Sequence, residues 1–249
     1  MRQLCCDRCI VLNSRNHLDQ PVGFLVNDWQ PPPFPSKEVL EGRFCNLEPL
    51  EIKHAESLYA SFSLDIEGRN WTYLPYGPFD SLASFSNWIE KNCLGNDPLF
   101  FAIVEKETAK AIGVASYLRI TPNSGSIEVG HINYSPLLQR TPAATEAMYL
   151  MMSKAFELGY RRYEWKCDTL NAPSRATAQR LGFSFEGIFR QATVVKGRNR
   201  DTAWYAMTDS DWLVLKKVYL QWLSPANFNE LGTQKLRLSK LTHSLLNPE

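Results

Sequence analysis

Two side chains on one short segment of the chain can accept a proton. Residues 127–132 read Ile-Glu-Val-Gly-His-Ile, and the alternation within them predicts a β-strand. A period of two places Glu128 and Ile132 on one face of this strand and His131 on the other. Carboxylates and imidazoles are common general bases, and the ordinary pKa of histidine lies near neutrality. Structural roles are the alternatives: Glu128 can pair with a nearby arginine or tyrosine, and His131 can be a core residue.

A helix with a defined start and end lies further along the chain, at residues 171–183. Asn171 can cap its N-terminus, a proline suits its first turn, and Gly182 can end it. Strand-like runs precede and follow this helix at residues 163–168 and 183–189. The predicted unit is therefore a strand, a capped helix and a second strand.

Periodicity elsewhere predicts the elements that must position these residues. Further strands are expected at residues 43–50, 99–106, 111–120, 126–134, 192–195 and 202–208, and helices at 53–62, from Asp80 or Ser81 to 93, at 143–158, and from Asp209 or Ser210 to about 222. Residues 196–201 are typical of a hairpin turn. We expect an extended, proline-rich arm at 1–40, a domain at 41–210, and a C-terminal helix and tail at 211–249. By itself, this pattern indicates only a mixed α/β domain.

The composition indicates a folded protein and argues against two kinds of partner. The 249 residues are 44% hydrophobic, which is ample for a packed core. A net charge of +1 provides no field that would favour nucleic acid or an anionic membrane. No apolar run approaches the roughly 20 residues of a membrane span, and Arg2, Asp7 and Arg8 interrupt any secretory signal. We therefore expect a cytoplasmic protein with neither nucleic acid nor membrane as a partner.

One cysteine pair has the spacing of half a zinc site. Cys6 and Cys9 form a Cys-x-x-Cys motif, but the sequence contains no second motif of this kind. We therefore expect reduced thiols and no metal.

The helix at 171–183 opens with Asn-x-x-Ser, formed by Asn171 and Ser174, and closes with Leu-Gly-Phe. With its flanking strands it resembles the last half of the GCN5-related N-acetyltransferase (GNAT) fold, particularly the RimJ/RimL-type branch, and the element order over about residues 40–210 is similar to that family. The resemblance implies an α/β (α+β) GNAT fold: a mixed, mostly antiparallel central sheet flanked by helices, with an N-terminal extended arm and a C-terminal helical extension. It also implies an acetyl-CoA-dependent N-acetyltransferase that acts on a primary amine by direct attack in a ternary complex. The alternative is a non-catalytic GNAT-like domain that binds acyl-CoA or another protein.

The resemblance also places the cofactor. The family binds the pyrophosphate at a Gln/Arg-x-x-Gly-x-Gly/Ala loop before its long helix, and residues 139–144 match this loop except that Pro142 replaces the first glycine. Proline lacks an N–H, so Arg140 would supply charge in compensation. A plain helix cap at Thr141 is the alternative, and Asn171 could either cap its helix or bind the pantetheine arm. The implied acetyl-CoA contacts are Ile132, Tyr134, Gln139, Arg140, Thr141, Ala143, Ala144, Thr145, Asn171 and Ser174.

The implied chemistry needs a base for the amine and an acid for the leaving thiolate. Glu128 lies where several relatives carry a glutamate and is our first candidate base, directly or through water, with His131 as the alternative. Many relatives use a tyrosine as the acid, but Ala178 occupies that position here. The RimJ/RimL-type serine corresponds to Ser174, which becomes the candidate acid or thiolate-binding group. The alternative is a structural serine that satisfies backbone N–H groups in the first turn of its helix. A carboxylate that some relatives carry is replaced by Thr193.

The sequence gives the least information about the acceptor substrate. Candidate substrate-binding residues are the rings of a turn-rich loop and the charges of the predicted hairpin: Trp71, Tyr73, Tyr76, Arg198, Arg200 and Asp201. Alternatively, the rings fix the loop to the core and the charges form a solvated turn. The acceptor amine can belong to a small molecule or to a protein N-terminus, and a homodimer is possible through the aromatic C-terminal helix.

Overall fold

The computed structural model describes residues 14–230 and 232–246, with only the backbone given for 244–246. The predicted Cys6 and Cys9 pair lies outside these residues. The chain divides into two compact units, one ending at Gln30 and one beginning at Pro31. In the first unit, strands β1 (Ser14–Arg15) and β2 (Pro21–Val22) form a small antiparallel hairpin. All features described below belong to the second unit.

The second unit contains an eight-stranded sheet. Its strands are β3 (Leu40–Glu41), β4 (Cys45–Pro49), β5 (Leu99–Glu105), β6 (Ala111–Thr121), β7 (Ser126–Tyr134), β8 (Arg162–Asp168), β9 (Ser184–Val195) and β10 (Arg198–Thr208). Their order is β3-β4-β5-β6-β7-β8-β10-β9. Every neighbouring pair is antiparallel except β7 and β8, which are parallel. The predicted mixed, mostly antiparallel sheet is confirmed.

Helices cover both faces of this sheet. They are α1 (Ala55–Phe62), α2 (Leu82–Asn92), α3 (Pro142–Glu157), α4 (Ala172–Arg180), α5 (Asp209–Leu223) and α6 (Leu238–Leu246). One core lies against α3, α4 and α5, and a second lies against α1 and α2. Strand β5 serves both, because Phe101 belongs to the first core and Phe100 to the second, as the alternation of a strand buried on both faces requires. Among the described helices, none combines the length and apolar character needed to cross a bilayer.

Side-chain caps set the starts of the helices. Ser81 and Asn171 cap α2 and α4 as predicted, each by accepting a backbone N–H three residues on. Helix α5 differs from the prediction, because Thr208 rather than Asp209 or Ser210 is its cap. Thr208 Oγ1 accepts the N–H of Asp211, whose carboxylate accepts the N–H of Thr208 in return.

The last hairpin is longer and tighter than predicted. Strand β9 is continuous over Ser184–Val195, and the turn consists of Lys196 and Gly197 alone. Both turn residues have positive φ, +49° and +72°, the conformation of two-residue turns whose twist matches that of the flanking strands. Pairing therefore extends to the turn, and residues 198–201, predicted to lie in it, are part of β10.

Candidate active site

A bulge in β7 redirects the side chains that follow it. His131 has φ +50°, and the pairing with β6 shifts so that Ser116 faces Gly130 while Val114 faces Asn133. Ile132 consequently packs against the core that contains Val129. The predicted alternation, which placed Ile132 on the opposite face, is wrong beyond Gly130 because it assumed an unbroken strand.

Strands β7 and β8 separate next to this bulge. Their parallel pairing joins Ser126–Val129 to Arg162–Trp165 and stops there. Beyond this point a cleft of about 1280 Å³ opens, lined by the second half of β7, the end of β8 and the N-terminal turns of α3 and α4. The backbone edges of both strands face this cleft and can bind an extended ligand that carries amide groups.

The N-terminus of α3 forms one end of the cleft. Thr141 Oγ1 accepts the N–H of Ala144 at 3.2 Å and donates to the carbonyl of Leu138 at 2.7 Å. The cap considered as an alternative is thus present. Because Pro142 has no N–H and the cap occupies that of Ala144, this helix start offers fewer free donors to an anion than a glycine loop would.

Arginines supply positive charge at the same end. Arg140 lines the cleft, as predicted, with φ +63°. Arg180, which the sequence reasoning missed, also lines it and donates from Nη2 to Thr145 Oγ1 at 2.9 Å. Burial lowers the pKa of Arg180, and in the part of the chain that the structure describes no carboxylate pairs with it. A partly buried cation without a counter-ion is unfavourable, so this position favours an anionic ligand.

The N-terminus of α4 forms the opposite wall. Asn171 Oδ1 accepts the N–H of Ser174 at 3.1 Å. Trp165 Nε1 donates to Ser174 Oγ at 3.0 Å. Burial raises the pKa of the Cys167 thiol, and a hydrogen bond from Ser174 opposes that rise. All of these side chains line the cleft.

A family match and a solved relative agree with this architecture. A family model described as an acetyltransferase (GNAT) domain matches residues 45–184. A crystal structure of a GCN5-related N-acetyltransferase from Brucella melitensis is 46% identical and superposes with a TM-score of 0.85, the match covering 88% of this chain and 100% of that one. The chain belongs to the GNAT acetyltransferase family.

Two further relatives of this GNAT protein are more distant. A GNAT-family structure from Chromobacterium violaceum is 40% identical with a TM-score of 0.73, over 78% of this chain and 97% of that one. N-acetyltransferase p20 of Bacillus licheniformis, described as uncharacterised, is 23% identical over 176 residues, which are 70% of this chain and 98% of p20.

Two carboxylates line the cleft of this GNAT domain, and their surroundings differ. Glu128 is 3% exposed and lies between Arg119 Nη1 at 2.6 Å and Lys166 Nζ at 2.8 Å. Lys166 also contacts Glu164 at 2.7 Å. Glu128 therefore has the ion-paired surroundings considered as its structural alternative. Asp168 was not predicted; its Oδ1 accepts the N–H of Leu170, and no cation pairs with it among the described residues.

His131 lines the cleft but is held by aromatic neighbours. Its Nδ1 lies 3.1 Å from the hydroxyl of Tyr76, and its ring packs against Tyr76 and Phe100 at centroid distances of 5.6 and 5.0 Å. Burial, aided by the charge of Arg119, lowers the pKa of His131 to about 4. The imidazole is therefore neutral near pH 7, and its Nδ1 is already engaged with the Tyr76 hydroxyl.

The loop between α1 and α2 contributes one of its three predicted rings to the cleft. Tyr73 lines the cleft and donates to the carbonyl of Leu170 at 3.0 Å. Trp71 does not line it: the ring is 6% exposed and packs against Phe62 and Phe79 in the second core. Tyr76 likewise lies behind the wall, in contact with His131. For these two rings the structure matches the alternative in which they fix the loop to the core.

The charged residues of β10 separate in the same way. Arg200 lines the cleft, whereas Arg198 and Asp201 do not. Asp201 accepts the N–H of Gln191 at 2.7 Å and the Nδ2–H of Asn199 at 3.0 Å, and these bonds, the first above all, lower its pKa. Asp201 thus secures the hairpin.

Most of the predicted residues meet in one place. The cleft is lined by Tyr73, Glu128, His131, Ile132, Tyr134, Gln139, Arg140, Thr141, Ala144, Thr145, Asn171 and Ser174, but not by Ala143. Sequence reasoning missed its C-terminal wall, formed by Trp222, Phe228, Gly232, Thr233 and Gln234. In the described ranges, no three His, Cys, Asp or Glu side chains gather as a metal site requires.

An acyl-CoA molecule fits the polar groups of this cleft. Asn133 is only 2% exposed, and both its side-chain Nδ2 and Oδ1 are buried without a hydrogen-bond partner. Buried amides of this kind require a partner, and the amide groups of a pantetheine chain could provide one. The uncompensated Arg180 and the exposed Arg140 suit phosphates in the same way.

Proposed function

We propose that this protein is an acetyl-CoA-dependent N-acetyltransferase acting on a primary amine. The observation that carries the proposal is the opening between β7 and β8, which joins an anion-favouring helix start to the hydroxyl of Ser174. The microcin C7 self-immunity acetyltransferase MccE, 23% identical with a TM-score of 0.60, has been solved in complex with acetyl-CoA and AMP. That likeness concerns the fold, and it supports the cleft as the cofactor site.

We place the phosphates of acetyl-CoA beside Arg140, Arg180 and the start of α3. The amide-rich arm would follow the free edges of β7 and β8 towards Ser174, with Asn133 and Asn171 as partners. When bound, acetyl-CoA supplies the acetyl thioester. Ser174, in its Asn-x-x-Ser motif, is the feature that supports the RimJ/RimL-type branch.

Ser174 is the proposed acid for the leaving thiolate. An indole N–H can only donate, so Ser174 Oγ must accept from Trp165 and keeps its own proton available for another group. The hydroxyl is thus set to donate into the cleft.

Asp168 is the proposed base for the amine, in place of Glu128. Both oxygens of Glu128 are engaged in ion pairs, one with Arg119 and the other with Lys166. Asp168 lines the same cleft without a paired cation. Glu128 would instead position Lys166 and Arg119.

Binding of acetyl-CoA to the purified protein tests the cofactor site. At about 100 times its Kd, acetyl-CoA should stabilise the fold by roughly 2.7 kcal/mol, which raises Tm by a few degrees. Arg180→Met should leave the unliganded protein at least as stable, because a partly buried, uncompensated charge is removed. It should weaken the binding of acetyl-CoA at least tenfold. Arg190→Met, an exposed position on β9 outside the cleft, is the matched control.

Turnover separates the catalytic proposal from a binding domain. Release of free thiol from acetyl-CoA, dependent on an added amine, is the expected result. Acetyl-CoA binding without turnover of any amine would favour the non-catalytic alternative, to which Pro142 and Ala178 point. Absence of both would overturn the proposal.

A further inference from the structure

The cleft has a second end, away from α3, where an acceptor can approach the proposed acid and base. We call this end the acceptor pocket and assign to it six of the residues that line the cleft: Tyr73, Leu118, Arg119, Lys166, Asp168 and Arg200. Its charges are not balanced evenly. Arg119 and Lys166 are paired with Glu128, whereas Arg200 and Asp168 are not in ion pairs among the described residues.

Arg200 is a partly buried guanidinium without a counter-ion. Its Nε is buried and has no hydrogen-bond partner. Arg200 lies on β10 between the turn at Lys196 and Thr202, and Thr202 pairs with Asp168, the last residue of β8. Arg200 is therefore just beyond the end of β8. A guanidinium in such a place favours a carboxylate or phosphate, which it can bind with two parallel hydrogen bonds.

The loop between α1 and α2, which contributes Tyr73 to the acceptor pocket, limits the size of the ligand. Lys196 Nζ donates to the carbonyls of Trp71 at 2.8 Å and Gly77 at 2.9 Å, which ties the β9–β10 hairpin to the α1–α2 loop. Tyr73 ties the same loop to the carbonyl of Leu170. A free small molecule fits beneath a loop fastened on two sides more readily than a protein N-terminus, whose chain must continue outwards.

We propose that the acceptor is a free amino acid, bound by its carboxylate to Arg200 and by its amino group near Asp168. This inference rests on the proposed function and narrows its substrate class. In the reaction, the amine nitrogen forms a bond to the acetyl carbon as the carbon–sulfur bond breaks. Asp168 takes the amine proton and Ser174 gives one to the departing sulfur, so the products are an N-acetylamino acid and the free thiol. Asp168 then releases its proton to solvent, and Ser174 regains one from solvent. No further co-reactant is needed.

A panel of paired acceptors tests this inference. Free L-amino acids with apolar, hydroxyl, acidic and basic side chains are compared with their carboxamides, which lack only the carboxylate charge, and with a short amidated peptide. Thiol release gives kcat/KM for each. We expect at least one free amino acid to exceed its carboxamide and the peptide by tenfold or more.

Variants then assign the discrimination to one residue. Arg200→Gln should lower kcat/KM for the preferred amino acid by tenfold or more, mostly through KM, while the value for its carboxamide stays within twofold. Arg200→Lys should recover part of the loss, and Arg190→Gln serves as the exposed control. The comparison of acceptors on the unaltered protein stands even where the glutamine variant fails to fold.

The outcomes separate this inference from the proposed function. Carboxamides or peptides that react as well as free amino acids would overturn the inference while leaving the transferase proposal intact. An Arg200→Gln variant that still prefers the free amino acid to its carboxamide by the same factor would also overturn the inference. If acetyl-CoA neither binds nor turns over with any amine, the proposed function fails first.

Discussion

The hydroxyl of Ser174 has one arrangement of hydrogen bonds that satisfies its neighbours. The indole of Trp165 can only donate to it, so the oxygen accepts there and the hydroxyl proton points elsewhere. Asn171 fixes the backbone of the same residue through its cap. Ser174 is therefore our proposed substitute for the tyrosine that many family members use as the acid.

Replacing Ser174 and Trp165 tests that arrangement. Ser174→Ala should lower kcat about a hundredfold because the general acid is lost, with the Kd of acetyl-CoA changed little. Trp165→Phe should lower kcat about tenfold by freeing the hydroxyl rotor, and it should add almost nothing in a Ser174→Ala background. Steady-state kinetics and calorimetric binding provide both readouts. An additive double variant would mean that Trp165 acts independently of Ser174.

The two carboxylates of the cleft should respond differently to neutralisation. Asp168→Asn should reduce kcat about a hundredfold with little change in stability. Glu128→Gln should destabilise the protein by about 1 kcal/mol, because Arg119 loses its partner while Lys166 keeps Glu164. Urea unfolding and kinetics on both variants separate these roles. A stable but inactive Glu128→Gln would return Glu128 to the position of base.

At the scale of elements, helix caps were predictable to within two residues, the cap of α5 being Thr208 rather than Asp209 or Ser210, whereas strand irregularities were not predictable. Ser81 and Asn171 cap their helices as the sequence indicated, since a cap depends on residues only three positions apart. The bulge at His131 and the long β9–β10 pairing depend on what the neighbouring strands present. The alternation of apolar and polar residues within one strand does not contain that information. The sequence therefore predicted the wrong face for Ile132 and the wrong extent for the hairpin turn.

The cap of α3 gives a prediction at this scale. Thr141→Ala removes the acceptor for the Ala144 N–H and should lower the free energy of unfolding by about 1 kcal/mol. Thr141→Ser keeps the oxygen and should retain most of that stability. Urea unfolding of the three proteins measures the difference. Equal stabilities would show that the start of α3 is held by packing alone.

At the scale of the whole molecule, the alignment of neighbouring strands brings the residues of the site together. The motif residues Asn171, Ser174 and Gln139 were identifiable because local sequence carries them. The pairing of Lys166 with Glu128 and the exposure of Arg200 to the cleft exist only once β7, β8 and β10 are aligned. The same holds for the C-terminal wall, where Trp222 Nε1 donates to Gln234 Oε1 at 2.9 Å.

The acid sensitivity of the whole fold should reflect His131. Burial lowers its pKa to about 4, whereas an unfolded histidine titrates near its ordinary value of about 6.5. Between these values the unfolded chain binds more protons, so stability falls as pH falls through that window and the dependence ends below about pH 4. This histidine alone should account for roughly 3 kcal/mol. The variant His131→Asn tests this expectation, because asparagine tolerates the positive φ and does not titrate. The free energy of unfolding of this variant, measured in urea from pH 7 to pH 4, should fall less steeply than that of the unaltered protein. All other titrating groups cancel in the difference, so parallel curves would place the origin of acid unfolding elsewhere.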